Sequence, residues 1–242
     1  MADLVAKTTD DIYYMLWGDQ RHNAFTASQY DGLIDYEHGK FSNFKFMDMR
    51  QFRFEYYQNS INNIHHIQMP YYIRVVYPYL ALQWGFPYDR DDFKIKKNAD
   101  DEIDCSFLWY KGKAKWTVSI DQQIVSEHKG FDCLTNTKED YPGDKYSAFH
   151  RIFSSSHHCC RIINESMETG RSICISGDSF MIPVIPILAC YYKEVVFLDN
   201  RPDENGEIVD NTGYFKDRIF DQVVVALSEI HNLNKFLGVN LK

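Results

Sequence analysis

Residues Arg171–Arg201 read RSICISGDSFMIPVIPILACYYKEVVFLDNR. An apolar run, Ser172 to Ile175, stops at Gly177-Asp178-Ser179. A segment of helical period follows, and a β-branched run, Val195 to Leu198, then ends in Asp199-Asn200-Arg201. The order is strand, tight turn, helix, strand, which predicts one parallel βαβ unit with a serine at the carboxyl end of its first strand. Open α/β sheets place their chemistry at that edge. Ser179 is therefore the first residue to question about function.

Working outward, Phe220–Leu227 contains Val223-Val224-Val225 and predicts a third buried strand. Ile230–Leu237 predicts a closing helix. At the other end, Thr8-Thr9-Asp10-Asp11 supplies oxygen side chains suited to capping, so a helix is expected over Ile12–Trp17, broken by Gly18. A second helix is expected over about residues 23–34. Tyr71–Trp84 is apolar enough for a buried helix, entered after Pro70 and disturbed by Pro78. Ser106–Tyr110 and Ala114–Ile120 alternate around Lys111-Gly112-Lys113 and predict a β-hairpin. The stretch Asp89 to Lys97 is strongly charged and reads as a solvated face. The two ends together predict one α/β core in a single domain, with a mixed insertion at about residues 40–150.

The chain has 242 residues, a hydrophobic fraction of 45% and a charged fraction of 25%, values of an ordinary globular domain. A net charge of −8 without any basic block argues against a nucleic-acid partner. No apolar run approaches the ~20 residues needed to span a bilayer. The amino terminus, MADLVAKTTDD, has neither the basic head nor the apolar core of a secretory signal, so a cytoplasmic protein or a domain of a longer one is expected. Cys105, Cys133, Cys159, Cys160, Cys174 and Cys190 lack framework spacing and suit reduced thiols. Aromatic residues make up 16% of the chain; such rings either fill a core or offer platforms to the apolar faces of sugars.

A serine hydroxyl needs a neighbouring base before it becomes a good nucleophile. At a strand-to-helix turn it also gains the N–H groups of the helix start, which can stabilise an oxyanion. Gly177, with no side chain, permits close approach of a substrate, and Asp178 orients the turn. The plain alternative is that Ser179 caps the following helix.

The segment ISGDSFMIPVIPILACYYKEVVFLDNR resembles the serine segment of SGNH-type hydrolases, in the branch that holds the alginate O-acetyltransferase-like and Asp-His-His-Trp (DHHW) proteins. The resemblance covers about a quarter of the chain, at its carboxyl end. It puts Ser179 on the nucleophile, with Tyr192-Lys193-Glu194-Val195, Asp199-Asn200-Arg201 and the strand Phe220 to Val225 on the rest of the pattern. In that branch an Asp-x-His-Trp motif precedes the serine. The comparable segment here is Gly18-Asp19-Gln20-Arg21-His22-Asn23, in which an ungapped alignment puts Arg21 on the histidine position. Read as Asp-x-x-His, the spacing of other SGNH enzymes, Asp19 and His22 complete the triad. The resemblance implies a three-layer α/β sandwich with a mainly parallel sheet. It also implies a serine-dependent acyl esterase or O-acetyltransferase acting on a carbohydrate, with an acyl donor as second partner and no cofactor. The rival expectation is a catalytically inactive domain of the same fold that binds glycans or assembles a polysaccharide enzyme.

Other constellations are weaker. His157-His158-Cys159-Cys160 resembles a metal cluster, but adjacent ligands do not readily converge on one tetrahedral ion, and no metal is expected. His150, His157 and His158 are reserve candidates for the base, and His231 follows the last strand without an Asp three positions earlier. His65-His66 sits among polar residues as a solvated loop. Arg201 ends a strand at the same edge as Ser179 and either binds an acidic sugar or pairs with Asp199 or Asp203. Neither a Gly-x-Gly-x-x-Gly fingerprint nor a Gly-Lys-Ser/Thr phosphate loop is present, so nucleotide-dependent chemistry has little support.

Overall fold

The computed structural model describes residues 9, 11–16, 44–49, 72–96, 107–110, 115–120, 123–129, 159–178, 180–182, 184–201 and 218–227. The strands are β1 (Ile12–Leu16), β2 (Phe44–Asp48), β3 (Phe93–Lys96), β4 (Phe107–Tyr110), β5 (Lys115–Ile120), β6 (Gln123–Lys129), β7 (Cys159–Asn164), β8 (Ser172–Gly177), β9 (Glu194–Asp199) and β10 (Gln222–Leu227). Two α-helices are described, α1 (Tyr77–Trp84) and α2 (Val184–Tyr191). Eight strands form one mixed sheet in the order β2-β1-β10-β8-β9-β7-β5-β6, and β3 with β4 forms a separate antiparallel pair. The five strands from β2 to β9 run parallel; β7, β5 and β6 extend the sheet antiparallel.

The expected βαβ unit is present. β8 and β9 pair in parallel with Gly177 opposite Asp199, and α2 connects them. Its strands are buried on both faces, as parallel strands covered by other layers must be. Tyr13, Met15, Ile173, Ile175, Val195, Phe197, Val224 and Ala226 join the core cluster with the helices. The alternate residues Ile12, Tyr14, Cys174, Val196, Leu198, Val223 and Val225 point to the other face and are equally buried. Parallel strands with both faces buried form the middle layer of a sandwich, in agreement with the expected fold class. α2, VIPILACY, is buried from Val184 to Cys190, which explains why no polar stripe marks its sequence.

Residues 12–16 are a strand and not the helix expected there. The oxygen side chains that suggested a helix cap do other work. Thr9 Oγ1 accepts the Asp11 N–H at 3.2 Å and donates to the Asp221 carbonyl at 3.2 Å. The Asp11 carboxylate takes Lys45 at 2.5 Å and Arg171 at 2.8 Å, and its carbonyl takes the Val223 N–H at 3.0 Å. These bonds anchor β1 between β10 and β2, where the buried run Ile12-Tyr13-Tyr14-Met15 fits a pleated position.

The expected hairpin of residues 106–110 and 114–120 does not form: β4 pairs β3, whereas β5 pairs β6 and β7 in the large sheet. Lys94–Lys96, assigned to a solvated face, belong to β3. Of the helix expected over residues 71–84, the described part from Tyr72 to Trp84 is helical, with its first turn widened into a π-helix over Tyr72–Val76. In that wider pattern the Ile73 carbonyl would meet the N–H of residue 78, which is proline and has none. The Tyr88 hydroxyl donates to that carbonyl instead, at 2.7 Å. Gly85 ends α1 at φ 72°, ψ 36°, a left-handed conformation suited to glycine, and its N–H reaches the Ala81 carbonyl. The expected helices near residues 23–34 and 230–237 lie outside the described residues.

Candidate functional site

Strands β1, β10, β8 and β9 are parallel neighbours, so their carboxyl ends, at Leu16, Leu227, Gly177 and Asp199, share one edge of the sheet. The turn that leaves β8 there is closely held. Asp178 is 4% exposed; its Oδ1 accepts the Phe180 N–H at 3.0 Å and its carbonyl accepts the Met181 N–H at 3.0 Å. The Met181 carbonyl then accepts from Val184 and Ile185, which starts α2. Asp178 thus organises the turn through its own carboxylate, the function an Asx turn serves wherever a strand must reverse into a helix. Phe180, Met181 and Ile182 all fold inward.

Gly177 is needed for packing. A Cβ there would stand 2.9 Å from Met181 Cγ and 3.2 Å from the Ala226 carbonyl oxygen. The β8 backbone therefore approaches both the turn and β10 closely.

The end of β9 locks against the end of β8. The Asn200 N–H donates to the Gly177 carbonyl at 2.8 Å, and its Nδ2 donates to Ser176 Oγ at 2.9 Å. Arg201 folds back on Asp199: Nε lies 2.9 Å from Oδ1, Nη2 lies 2.5 Å from Oδ2, and the Arg201 N–H reaches Oδ1 at 2.9 Å. Of the two carboxylates weighed for Arg201, Asp199 is a partner. The fork geometry makes this a charge-assisted pair on a carboxylate side chain that is 2% exposed.

A remote element also reaches the turn. The Tyr72 hydroxyl donates to the Phe180 carbonyl at 2.9 Å, with both residues buried. Tyr72 stands beside Tyr77, ring centroids 5.7 Å apart. Burial, followed by the neighbouring Tyr72, pushes the Tyr77 phenol well above the usual tyrosine range, so it stays neutral.

Of the residues singled out from sequence, Gly177, Asp178 and Arg201 are described and stand together at this edge. Ser179, Asp19 and His22 lie outside the described residues, as do His65, His66, His150, His157, His158 and His231. Cys159 and Cys160 occupy successive positions of β7 and so face opposite sides of the sheet; a single ion cannot be shared by that pair. Cys159, Cys160, Cys174 and Cys190 are buried as thiols and not as disulfides, and burial raises the Cys174 thiol well above its ordinary value. Sequence reasoning missed Ser176, Asn200 and Tyr72. Asn200 carried a usable signal, being a polar residue directly after a buried strand at the carboxyl edge of the sheet.

No protein-family model matches the chain, and no curated protein matches it in sequence. Solved structures do. A DHHW family protein from Eubacterium siraeum is similar with TM-score 0.61 at 13% identity, over 100% of this chain and 88% of that one. PatB1 of Bacillus cereus carrying a sulfonyl adduct is similar with TM-score 0.60 at 16% identity, over 94% of this chain and 82% of that one. A further structure of Bacillus cereus PatB1 gives TM-score 0.57 at 15% identity, over 96% of this chain and 86% of that one. At such identities the likeness shows the fold alone, an α/β sandwich.

Proposed function

We propose that the chain is a serine-dependent acyl esterase or O-acetyltransferase that modifies a carbohydrate, with Ser179 as nucleophile, His22 as base and Asp19 orienting the imidazole. The observation that carries this reading is the shared sheet edge. Ser179 follows the end of β8 by two residues, and Asp19 and His22 follow the end of β1 by three and six. β10 alone separates those two parallel strands, so their ends stand about 10 Å apart at ordinary strand spacing. Segments leaving two such ends are within reach of one another. Further support comes from the likeness to PatB1 with its sulfonyl adduct, since sulfonyl electrophiles trap activated nucleophiles.

In the proposed chemistry, His22 takes the Ser179 proton as the serine oxygen bonds to the carbonyl carbon of an ester donor. The tetrahedral intermediate collapses, the bond to the donor alcohol breaks, and His22 protonates the leaving oxygen. Water or a sugar hydroxyl then gives its proton to His22 and attacks the acyl carbon. Ser179 leaves with that proton restored. Substrate contacts from Gly177, Asp178 and Arg201, and polysaccharide or glycoconjugate as acceptor, belong to the same proposal.

The test is turnover of p-nitrophenyl acetate by the wild type and Ser179→Ala, with a fluorophosphonate label located by mass spectrometry. Label on Ser179 and loss of turnover in the variant are expected. Equal background rates and an unlabelled serine would refute the enzyme reading. One observation favours a second reading, a catalytically inactive glycan-binding or assembly domain: Asp19 and His22 depart from the Asp-x-His-Trp pattern.

A further inference from the structure

We propose that Tyr72 is a positioning residue for the turn that carries residue 179, an inference that rests on reading Ser179 as the nucleophile. The peptide groups on either side of residue 179 are each held. The Asp178 carbonyl accepts from Met181 at 3.0 Å, and the Phe180 N–H donates to Asp178 Oδ1 at 3.0 Å. Both bonds are internal to the turn and fix its shape. The Tyr72 hydroxyl supplies a bond from outside the turn, on the Phe180 carbonyl at 2.9 Å, from a residue 108 positions earlier in the chain. It ties the turn to the helical layer.

The reach of Tyr72 depends on its own irregular segment. Tyr72 opens the widened turn of residues 72–76, and such turns are frequent at functional sites. Pro78 and the Tyr88 hydroxyl on the Ile73 carbonyl maintain that turn. The ring of Tyr72 packs on Tyr77, a contact that phenylalanine would make equally well. The hydroxyl is the part that reaches the turn. A nucleophile displaced by a fraction of an ångström loses rate in the covalent step, while substrate binding elsewhere is spared.

The test compares wild type, Tyr72→Phe and Tyr192→Phe. Tyr192 is a matched control: it is buried and donates to Gln222 at 2.6 Å, at the opposite edge of the sheet. Two readouts are taken on folded protein: the rate at which phenylmethylsulfonyl fluoride modifies residue 179, and kcat and KM for p-nitrophenyl acetate. Tyr72→Phe is expected to slow sulfonylation and kcat by about tenfold with KM within about twofold, whereas Tyr192→Phe leaves all three at wild-type values. Wild-type rates in Tyr72→Phe, or equal losses in both variants, overturn the proposal. A wild type unmodified at residue 179 removes the enzyme reading itself and this inference with it. Should Tyr72→Phe not fold, 4-aminophenylalanine in place of Tyr72 keeps a weaker donor; a slowed rate supports the proposal and a wild-type rate overturns it.

Discussion

Asn200 Nδ2 donates to Ser176 Oγ at 2.9 Å, joining the residue after β9 to the penultimate residue of β8. Ser176 is fully buried and Asn200 nearly so. The pair acts as a side-chain rung beyond the last backbone rung, where Asn200 N–H meets the Gly177 carbonyl. It holds together the carboxyl ends of β8 and β9.

Asn200→Ala removes that rung. A buried hydrogen bond lost with its partner left in place costs about 1–3 kcal/mol. In a chain of this size each kcal/mol lowers Tm by ~2–4 °C. Calorimetry should therefore show a fall of several degrees, and Asn200→Asp, which keeps the oxygen and loses the donor, should also fall. An unchanged Tm in both variants would show that the rung contributes nothing.

Gly177→Ala tests the close approach of β8 to its turn. The added methyl meets Met181 Cγ at 2.9 Å and the Ala226 carbonyl oxygen at 3.2 Å. Met181 can shift; the β10 backbone cannot shift without breaking its pairing with β8. Overpacking of this kind costs about 1–3 kcal/mol. Urea denaturation should report that loss, and Gly177→Ala combined with Met181→Ala should recover only part of it, because the carbonyl contact remains.

The βαβ unit was legible because its strands are continuous β-branched runs, and a run such as Val195–Leu198 has few conformations in which all of its side chains are buried. Residues 12–16 were misread because Thr9 and Asp11 serve long-range partners, Asp221, Lys45 and Arg171, that no local window contains. The same holds for β4 and β5. Alternation marks each as a strand, but the choice of partner is tertiary, and Lys111-Gly112-Lys113 gave a turn signal without a pairing. At the candidate site, Gly177 and Asp178 were visible as a tight turn. The contribution of Tyr72 was not, since it depends on a widened helical turn far away in the chain.

Two side chains from the antiparallel half converge on one carbonyl of α2. Trp116 Nε1 and Asn164 Nδ2 each donate to the Ala189 carbonyl at 2.9 Å. The helix itself supplies no partner there, because the Lys193 N–H donates to the Arg171 carbonyl. Either donor alone can satisfy the oxygen, so Trp116→Phe and Asn164→Ala should be non-additive. The double variant should lose more than the sum of the singles by about 0.5–3 kcal/mol, the coupling range of residues sharing a partner. Additive losses in a denaturant double-mutant cycle would count against convergence on that carbonyl.

Asp221 gives a pH dependence whose sign can be worked out. Its carboxylate accepts the Ser172 N–H at 2.7 Å and the Ser172 hydroxyl at 2.8 Å, joining the starts of β10 and β8. The backbone bond from Ser172, followed by the hydroxyl bond, lowers its pKa below the ordinary carboxylate value. The folded state therefore binds its proton less readily than the unfolded chain, whose aspartates titrate near about 3.9. The stabilisation is present in full above that value and is lost as pH falls through the lower folded pKa. Asp221 is largely exposed, so solvent screening limits the contribution to about 1 kcal/mol or less. Asp221→Asn should accordingly be less stable than wild type by a constant margin from pH 7 to about pH 5, and the margin should begin to shrink below about pH 4 and go on shrinking as the pH falls. Urea midpoints measured across that interval check it: a margin that persists undiminished at pH 3 would show that the carboxylate charge is not what holds the two strand starts together.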